Sequence, residues 1–285
     1  MINFNGELLP DTSLFLNQQN RAWRYGDGLF ETIRVVNSKI FFWEEHYLRL
    51  MASMRILRME IPMNFTMEYL EGEIGRTISE NSLNTAAVRV RLGVYRKPGG
   101  LYLPQSRGVE YVIETAPLKN PFYTLEEKGE TVELFKDHWV SSGLLSTLKS
   151  NNRIINVLAS VYADENGYDN CLLLNEKKNV VEAINGNIFL VKGNTIKTPP
   201  LSDGCINGVL RKQLIGIISK MEDYTLEEAS VSPFELQKSD ELFTTNVIRG
   251  ICPVSAYRKK RFATGVSRNL LAKLNLHVRL GGDNR

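Results

Sequence analysis

Apolar, β-favouring residues dominate Leu29 to Val36, the pair Asn37-Ser38 interrupts them, and the run resumes from Lys39 to Phe42. Two such runs around a two-residue break predict a β-hairpin. From about Glu44 the period changes. Tyr47, Leu50, Met54 and Leu57 recur at helical spacing, one buried face, until Ile61-Pro62 ends the pattern. A second helix is predicted at 67–82, with strands at Ala86–Tyr95 and Glu110–Thr115. Met1–Pro10 reads as strand and turn, without the basic-then-apolar layout of a secretion signal. The stretch Ala116–Thr124 carries Pro117 and Pro121 and reads as a link. Beyond it the pattern predicts a strand at 131–136 and a helix at 152–166 with Ile154, Ile155, Leu158, Val161 and Tyr162 inward. A short apolar strand follows at Cys171–Asn175, a turn at 176–179 and a strand at 187–192. The next helix spans 207–221, with Leu210, Leu214, Ile217, Ile218 and Met221 inward. Strands near Tyr224 and Glu241 and a helix at 264–276 complete the chain. This is a mixed α/β protein without the βαβ rhythm of a doubly wound sheet.

At 285 residues the chain exceeds the roughly 100–200 residues of one domain. The link divides it into a domain at 1–118, a linker at 119–125 and a larger domain at 126–285. With 43% hydrophobic residues it can bury a sizeable core, and a net charge of +3 demands no polyanionic partner. The basic run Arg258-Lys259-Lys260-Arg261 lacks aromatic platforms and reads as an exposed hairpin connection, so neither nucleic acid nor a membrane surface is expected. Cys171, Cys205 and Cys252 are widely spaced and odd in number, which points to reduced, buried thiols in a cytoplasmic protein. His46, His138 and His277 have no metal-ligand spacing, so no metal is expected.

Lys149, in Ser146-Thr147-Leu148-Lys149-Ser150-Asn151-Asn152-Arg153, is the candidate nucleophile. What singles it out is its order with a carboxylate, Glu182, and with Gly208-Val209-Leu210-Arg211 opening an amphipathic helix. An amine, a carboxylate and a helix N-terminus suit pyridoxal phosphate. The amine forms a Schiff base to the aldehyde, the carboxylate keeps the pyridine nitrogen protonated, and free N–H groups take the phosphate. Singly, each has a bland reading: a solvated lysine, a turn carboxylate, an ordinary helix start. Arg49, at the margin of its helix's apolar face, would pair with a surface acid or turn inward as a phosphate clamp.

The order of segments resembles a family. Arg24-Tyr-Gly-Asp-Gly-Leu-Phe-Glu31 and Glu45-His-Tyr-Leu-Arg49-Leu50 are similar to the N-terminal signature of class IV (fold-type IV) pyridoxal-phosphate enzymes. The Lys149 and Glu182 segments, Thr198-Pro-Pro200, Asn207-Gly-Val-Leu-Arg211 and Cys252-Pro-Val254 follow in family order, so the resemblance covers about residues 1–256. The family comprises branched-chain aminotransferases, D-amino-acid aminotransferases and 4-amino-4-deoxychorismate lyases. The resemblance implies a small N-terminal α/β domain, a larger C-terminal pseudo-barrel domain, pyridoxal 5′-phosphate between them, a homodimer and a small amino substrate. It assigns the cofactor to Lys149, Arg49 and Glu182, to the backbone of Val209 and Leu210, and to the loop at Asn246 and Val247. Lys149-x-x-Asn152-Arg153, Asn246 and Ile206-Asn-Gly-Val209 are similar to the lyase branch, while the transaminases remain the alternative. Phe30 occupies the place of a tyrosine in D-amino-acid aminotransferases. The run Arg91 to Tyr102 departs from the lyase pattern, and Ala183 replaces the usual glycine after the glutamate. Phe30, Arg96, Lys97 and Tyr102 are the substrate-side candidates, with Arg96 and Lys97 in a Gly/Pro-rich loop as cations for substrate carboxylates.

Overall fold

A computed structural model of the chain describes residues 1–280, and no helix in it is long and apolar enough to cross a membrane. The chain separates into two compact units. The first holds residues 1–121 together with Lys149–Asn152. Its elements are β1 (Ile2–Phe4), β2 (Glu7–Leu9), α1 (Arg21–Tyr25), β3 (Gly28–Val36), β4 (Lys39–Ile40), α2 (Trp43–Ile56), α3 (Met67–Glu80), β5 (Ala87–Arg96) and β6 (Val109–Leu118). The strands form one antiparallel sheet, ordered β2-β1-β6-β5-β3-β4. Asn37 and Ser38 both adopt positive φ (49° and 61°), the twist a two-residue hairpin turn needs to match its strands. Side chains alternate across a strand. Leu29, Ile33, Val88, Val90, Leu92 and Val94 are buried with Leu50, Met54, Leu70 and Ile74 of α2 and α3. Phe30, Thr32 and Arg91 therefore lie on the opposite face of the sheet.

The second unit comprises residues 122–148 and those from 153 onward. It contains β7 (Glu130–Val140), α4 (Ile154–Glu165), β8 (Asn170–Asn175), β9 (Val180–Ala183), β10 (Gly186–Lys192), β11 (Thr195–Thr198), α5 (Val209–Ile218), β12 (Thr225–Glu228), α6 (Pro233–Lys238), β13 (Glu241–Asn246), β14 (Gly250–Tyr257), β15 (Lys260–Arg261) and α7 (Gly265–Arg279). Strands run in the order β12-β11-β10-β13-β14-β7-β8-β9, and β9 pairs again with β10. That last pairing closes the strands from β10 round to β9 into a ring, which is the pseudo-barrel. Closure leaves those strands no open edge, a geometry that protects them from edge-to-edge association. Leu172 packs with Val132, Leu134, Ile188 and Val254, whereas its neighbours Cys171 and Leu173 pack with Phe135 and Ala159 under α4. All three cysteines are free and buried. The basic run sits in the β14–β15 hairpin.

Several elements differ from the pattern-based expectation. In α4 the buried residues are Ala159 and Ala163, while Ile154, Leu158 and Val161 are exposed. The small alanines let the helix approach the sheet closely, with Ile155 and Tyr162 packed at their flanks. The helix is apolar on two stripes and periodicity merged them: Ile155 and Tyr162 face inward as expected, whereas Ile154, Leu158 and Val161 do not. Strand β6 runs on through Pro117 to Leu118. Its pairing with β1 stops at Ile113, so the missing proline N–H falls on an open edge where no ladder bond is lost. Helix α5 begins at Val209 rather than Asn207, because Gly208 is its extended N-cap. Residues 149–152 belong with the first unit, not with 126–285 as a linear division gives, because their backbone pairs with β3. The expected end of that domain, 281–285, lies outside the described residues.

Candidate active site

In the first unit, Lys149–Asn152 lie along the start of β3. Phe30 N–H donates to Lys149 O (2.9 Å) and Asn151 N–H to Gly28 O (2.9 Å). Asn152 Nδ2 donates to Gly26 O (3.2 Å). Gly26 has a positive φ of 63°, and a Cβ there would meet Asn152 Oδ1 at 2.4 Å. A Cβ on Gly28 would meet Asn151 Nδ2 at 2.6 Å. The Gly26-Asp27-Gly28 turn is thus a seat shaped for the segment carrying the lysine. Lys149 Nζ lies 4.4 Å from the Phe30 ring centroid, and the Arg91 guanidinium carbon 4.5 Å from that centroid. Phe30 and Lys149 are therefore together, and they are joined by Arg91, a cation that sequence reasoning did not assign.

Next to Phe30, but on the inner face, Glu31 is fully buried. Arg49 Nε donates to Glu31 Oε1 (2.8 Å), Arg49 Nη2 reaches Oε2, and His46 Nδ1 lies 2.7 Å from Oε2. Burial alone would raise the Glu31 carboxyl, but the Arg49 charge and the hydrogen bonds from His46 and Arg49 outweigh it and hold the pKa at about 2. Burial lowers the His46 pKa below its ordinary 6.5 despite the pull of Glu31, and the positive charges of Arg49 and Lys149 push the same way. Arg49 thus pairs with an acid, as one reading of it allowed, but the acid is buried. A signal for this existed in the sequence. Glu31 falls on the apolar side of its strand, where a charge needs partners, and His46 and Arg49 are three residues apart on one helix.

Arg96 is not in a loop. It is the buried last residue of β5, with Nε on Asp27 Oδ2 (2.9 Å), Nη1 on Arg58 O (3.1 Å) and Nη2 on Leu57 O (2.8 Å). Arg21 joins the same carboxylate from α1 at 2.8 Å and binds the carbonyls of Gly99, Leu101 and Tyr102. The candidate substrate cation is therefore engaged in a structural clamp. Strand pairing extended β5 further than the Gly/Pro content indicated. Lys97 is exposed, and its backbone N–H donates to Gly108 O. Tyr102 is exposed, with its ring 5.6 Å from that of Tyr25.

In the second unit, Glu182 is buried and its Oε2 accepts the Ile206 N–H (2.8 Å), while Asn187 Nδ2 donates to Ile206 O (2.9 Å). Both polar groups of one peptide segment are pinned just before α5. Gly208, its N-cap, brings no side-chain cap, and the first N–H groups of a helix have no partner inside it, so those of Val209 and Leu210 suit an anion. Glu182, Asn187 and Thr245 are successive register partners across β9, β10 and β13. Asn246 Nδ2 donates to Asn185 O, and its Oδ1 accepts the N–H groups of Ile248 and Arg249, so the amide shapes the turn. Val247 is buried and its carbonyl accepts Tyr123 Oη–H (2.8 Å). The Thr245 hydroxyl is buried and has no hydrogen-bond partner among the described residues. In the sequence Thr245 carries no signal that sets it apart from Asn246 beside it. A pinned carboxylate, an uncapped helix start and an orphaned hydroxyl fit pyridoxal phosphate, with a ring nitrogen for the first and phosphate oxygens for the others.

The family model described as amino-transferase class IV matches residues 28–257. The chain is 30% identical over 253 residues to a putative branched-chain-amino-acid aminotransferase of Methanocaldococcus jannaschii, covering 89% of this chain and 86% of the relative. It is 27% identical over 249 residues to an aminodeoxychorismate lyase of Vibrio harveyi, covering 87% and 88%. Among solved structures, the branched-chain aminotransferase of Thermoproteus uzoniensis with norvaline superposes with a TM-score of 0.87 at 25% identity, covering 99% of this chain and 95% of that one.

Proposed function

Since the chain belongs to the amino-transferase class IV family, whose cofactor is pyridoxal 5′-phosphate, we propose that it is a 4-amino-4-deoxychorismate lyase forming 4-aminobenzoate and pyruvate. The observation that carries this reading is the lyase-like Lys149-x-x-Asn152-Arg153 segment, with the Asn152 amide seated on the Gly26 carbonyl. The segment also lacks the tyrosine that branched-chain aminotransferases place shortly after the lysine.

When bound, the cofactor supplies an electron sink that makes the α-proton of an amino substrate acidic. Lys149 would hold it covalently, Arg49 and the N–H groups of Val209 and Leu210 would take its phosphate with the turn at Thr245, Asn246 and Val247, and Glu182 would face its ring nitrogen. The Ile206 N–H fixes Glu182 Oε2, so the carboxylate would be held in place to keep a proton on that nitrogen. Lys149 Nζ, as a neutral amine, would take the α-proton. The Phe30 ring covers one side of Nζ. Arg91, beside the same ring, offers a planar fork to a substrate carboxylate. In the substrate the α C–H bond breaks towards Lys149 and the ether C–O bond breaks with its electrons on the enolpyruvyl oxygen. The carbocycle becomes aromatic, and the enol gains a proton to give pyruvate.

Transamination is the second reading, favoured by the likeness to the putative branched-chain aminotransferase. It shares proton abstraction at Lys149 and differs in where Lys149 returns the proton. One experiment separates the two: incubation with aminodeoxychorismate, and separately with L- and D-amino acids plus 2-oxoglutarate, assaying 4-aminobenzoate, pyruvate and glutamate. Glutamate alone overturns the lyase reading. The uncovered apolar stripe of α4, with Ile154, Val157, Leu158 and Val161, supports a homodimer. Light scattering on the purified protein tests it. Three free buried thiols suit the reducing cytoplasm.

A further inference from the structure

We infer that Glu31 and His46 are positioning residues that brace the Arg49 guanidinium for the cofactor phosphate, an inference resting on Arg49 being a phosphate ligand. Glu31 stands on the apolar side of β3 between Leu29 and Ile33, where an unpaired carboxylate would be strongly disfavoured. It is retained there with two nitrogens of Arg49 along one edge and the His46 imidazole on Oε2. This edge-on pairing fixes the plane of the guanidinium, not merely its charge. An arginine otherwise carries large rotamer entropy, which a bound anion would have to overcome. His46 Nε2 is buried without a partner among the described residues, so the imidazole acts through Nδ1. His46 sits on the same helix as Arg49 and gives Oε2, the oxygen that also takes Arg49 Nη2, a second partner.

The alternative role for Glu31 has the opposite sign. A carboxylate beside Arg49 also repels a phosphate, so a mere competing anion would weaken cofactor binding and its removal would strengthen it. The apo-protein is titrated with pyridoxal 5′-phosphate and separately with pyridoxal, which lacks the phosphate, following cofactor absorbance and tryptophan fluorescence. Melting curves check folding of each variant. Arg49→Ala is expected to weaken pyridoxal 5′-phosphate selectively. Glu31→Gln is expected to weaken it by about ten- to hundredfold, the worth of a charge-assisted hydrogen bond, and to leave pyridoxal unchanged. In an Arg49→Ala background the same change is expected to have no further effect. His46→Asn, whose amide nitrogen stands where Nδ1 does, retains tight binding, whereas His46→Leu loses it. If Glu31→Gln does not fold, the two His46 variants carry the test. Equal loss of both ligands in Arg49→Ala means that Arg49 is not the phosphate ligand. A selective Arg49→Ala effect with tighter, unchanged or unselective binding in Glu31→Gln, or equal binding in the two His46 variants, overturns the brace.

Discussion

Replacing Arg96 with alanine separates a structural clamp from a substrate ligand. The guanidinium bonds Asp27, the Leu57 carbonyl and the Arg58 carbonyl, joining the turn before β3 to the end of α2. Breaking a buried ion pair from one side costs about 3–5 kcal/mol. Here Asp27 keeps Arg21 as a partner, and Arg58 is exposed so water can reach its carbonyl. The expected loss is therefore about 2–4 kcal/mol, shifted below that range, allowing roughly 1.5–3 kcal/mol for each charged hydrogen bond that water does not replace. For a chain of this size each kcal/mol moves the melting temperature by about 2–4 °C, which gives a drop of about 4–16 °C. Arg96→Lys should recover part of it, because an ammonium reaches Asp27 but cannot span both carbonyls. Calorimetry or dye-monitored melting reads the effect, and steady-state kinetics below the new transition should give a Michaelis constant near the wild-type value. Arg91→Ala should do the reverse, raising the Michaelis constant about tenfold with little change in melting, since the guanidinium is partly exposed over Phe30. Unchanged melting of Arg96→Ala together with a raised Michaelis constant would refute the clamp and return Arg96 to the substrate.

Lys149→Ala should abolish turnover and the visible absorbance of the covalently held cofactor; a borohydride-reducible adduct at another lysine would show the wrong residue had been chosen. Glu182→Gln should leave the cofactor bound but slow proton abstraction by about 10²–10³, since an amide stabilises a protonated ring nitrogen poorly; wild-type rates would mean the carboxylate serves the fold and not the ring nitrogen. Stability should fall with pH in acid. The Glu31 carboxyl, held at about 2 against 4.5 when unfolded, contributes stability that is fully present above pH 4.5 and lost as pH falls through about 2. That difference corresponds to about 3 kcal/mol, and the lowered pKa of His46 adds a loss of the same sign beginning near its ordinary 6.5. Urea titrations from pH 7 to 2 should show this slope, and Glu31→Gln should flatten it below pH 4.5.

The sequence by itself determined what local order controls. The β3–β4 hairpin, the helices near residues 44 and 67, the closing helix and the succession Lys149, Glu182, Gly208 all follow from spacing along the chain, because periodicity and cap chemistry act over one or two turns. Tertiary structure decided what depends on which distant groups meet. Asp27 and Arg96, or Glu31 and His46, are separated along the chain and become partners only when strands and helix pack. The same holds for β9 meeting β10 to close the ring, and for Lys149–Asn152 seating on the Gly26 turn. In α4 both stripes were apolar, and only the approach of the sheet selected the one carrying Ala159 and Ala163. A charged side chain shows its type in the sequence but not its partner, since burial must first make pairing obligatory. That is why Lys149 could be singled out by its order along the chain, whereas the three partners of Arg96, and its place at the end of a strand and not in a loop, came only from the packing.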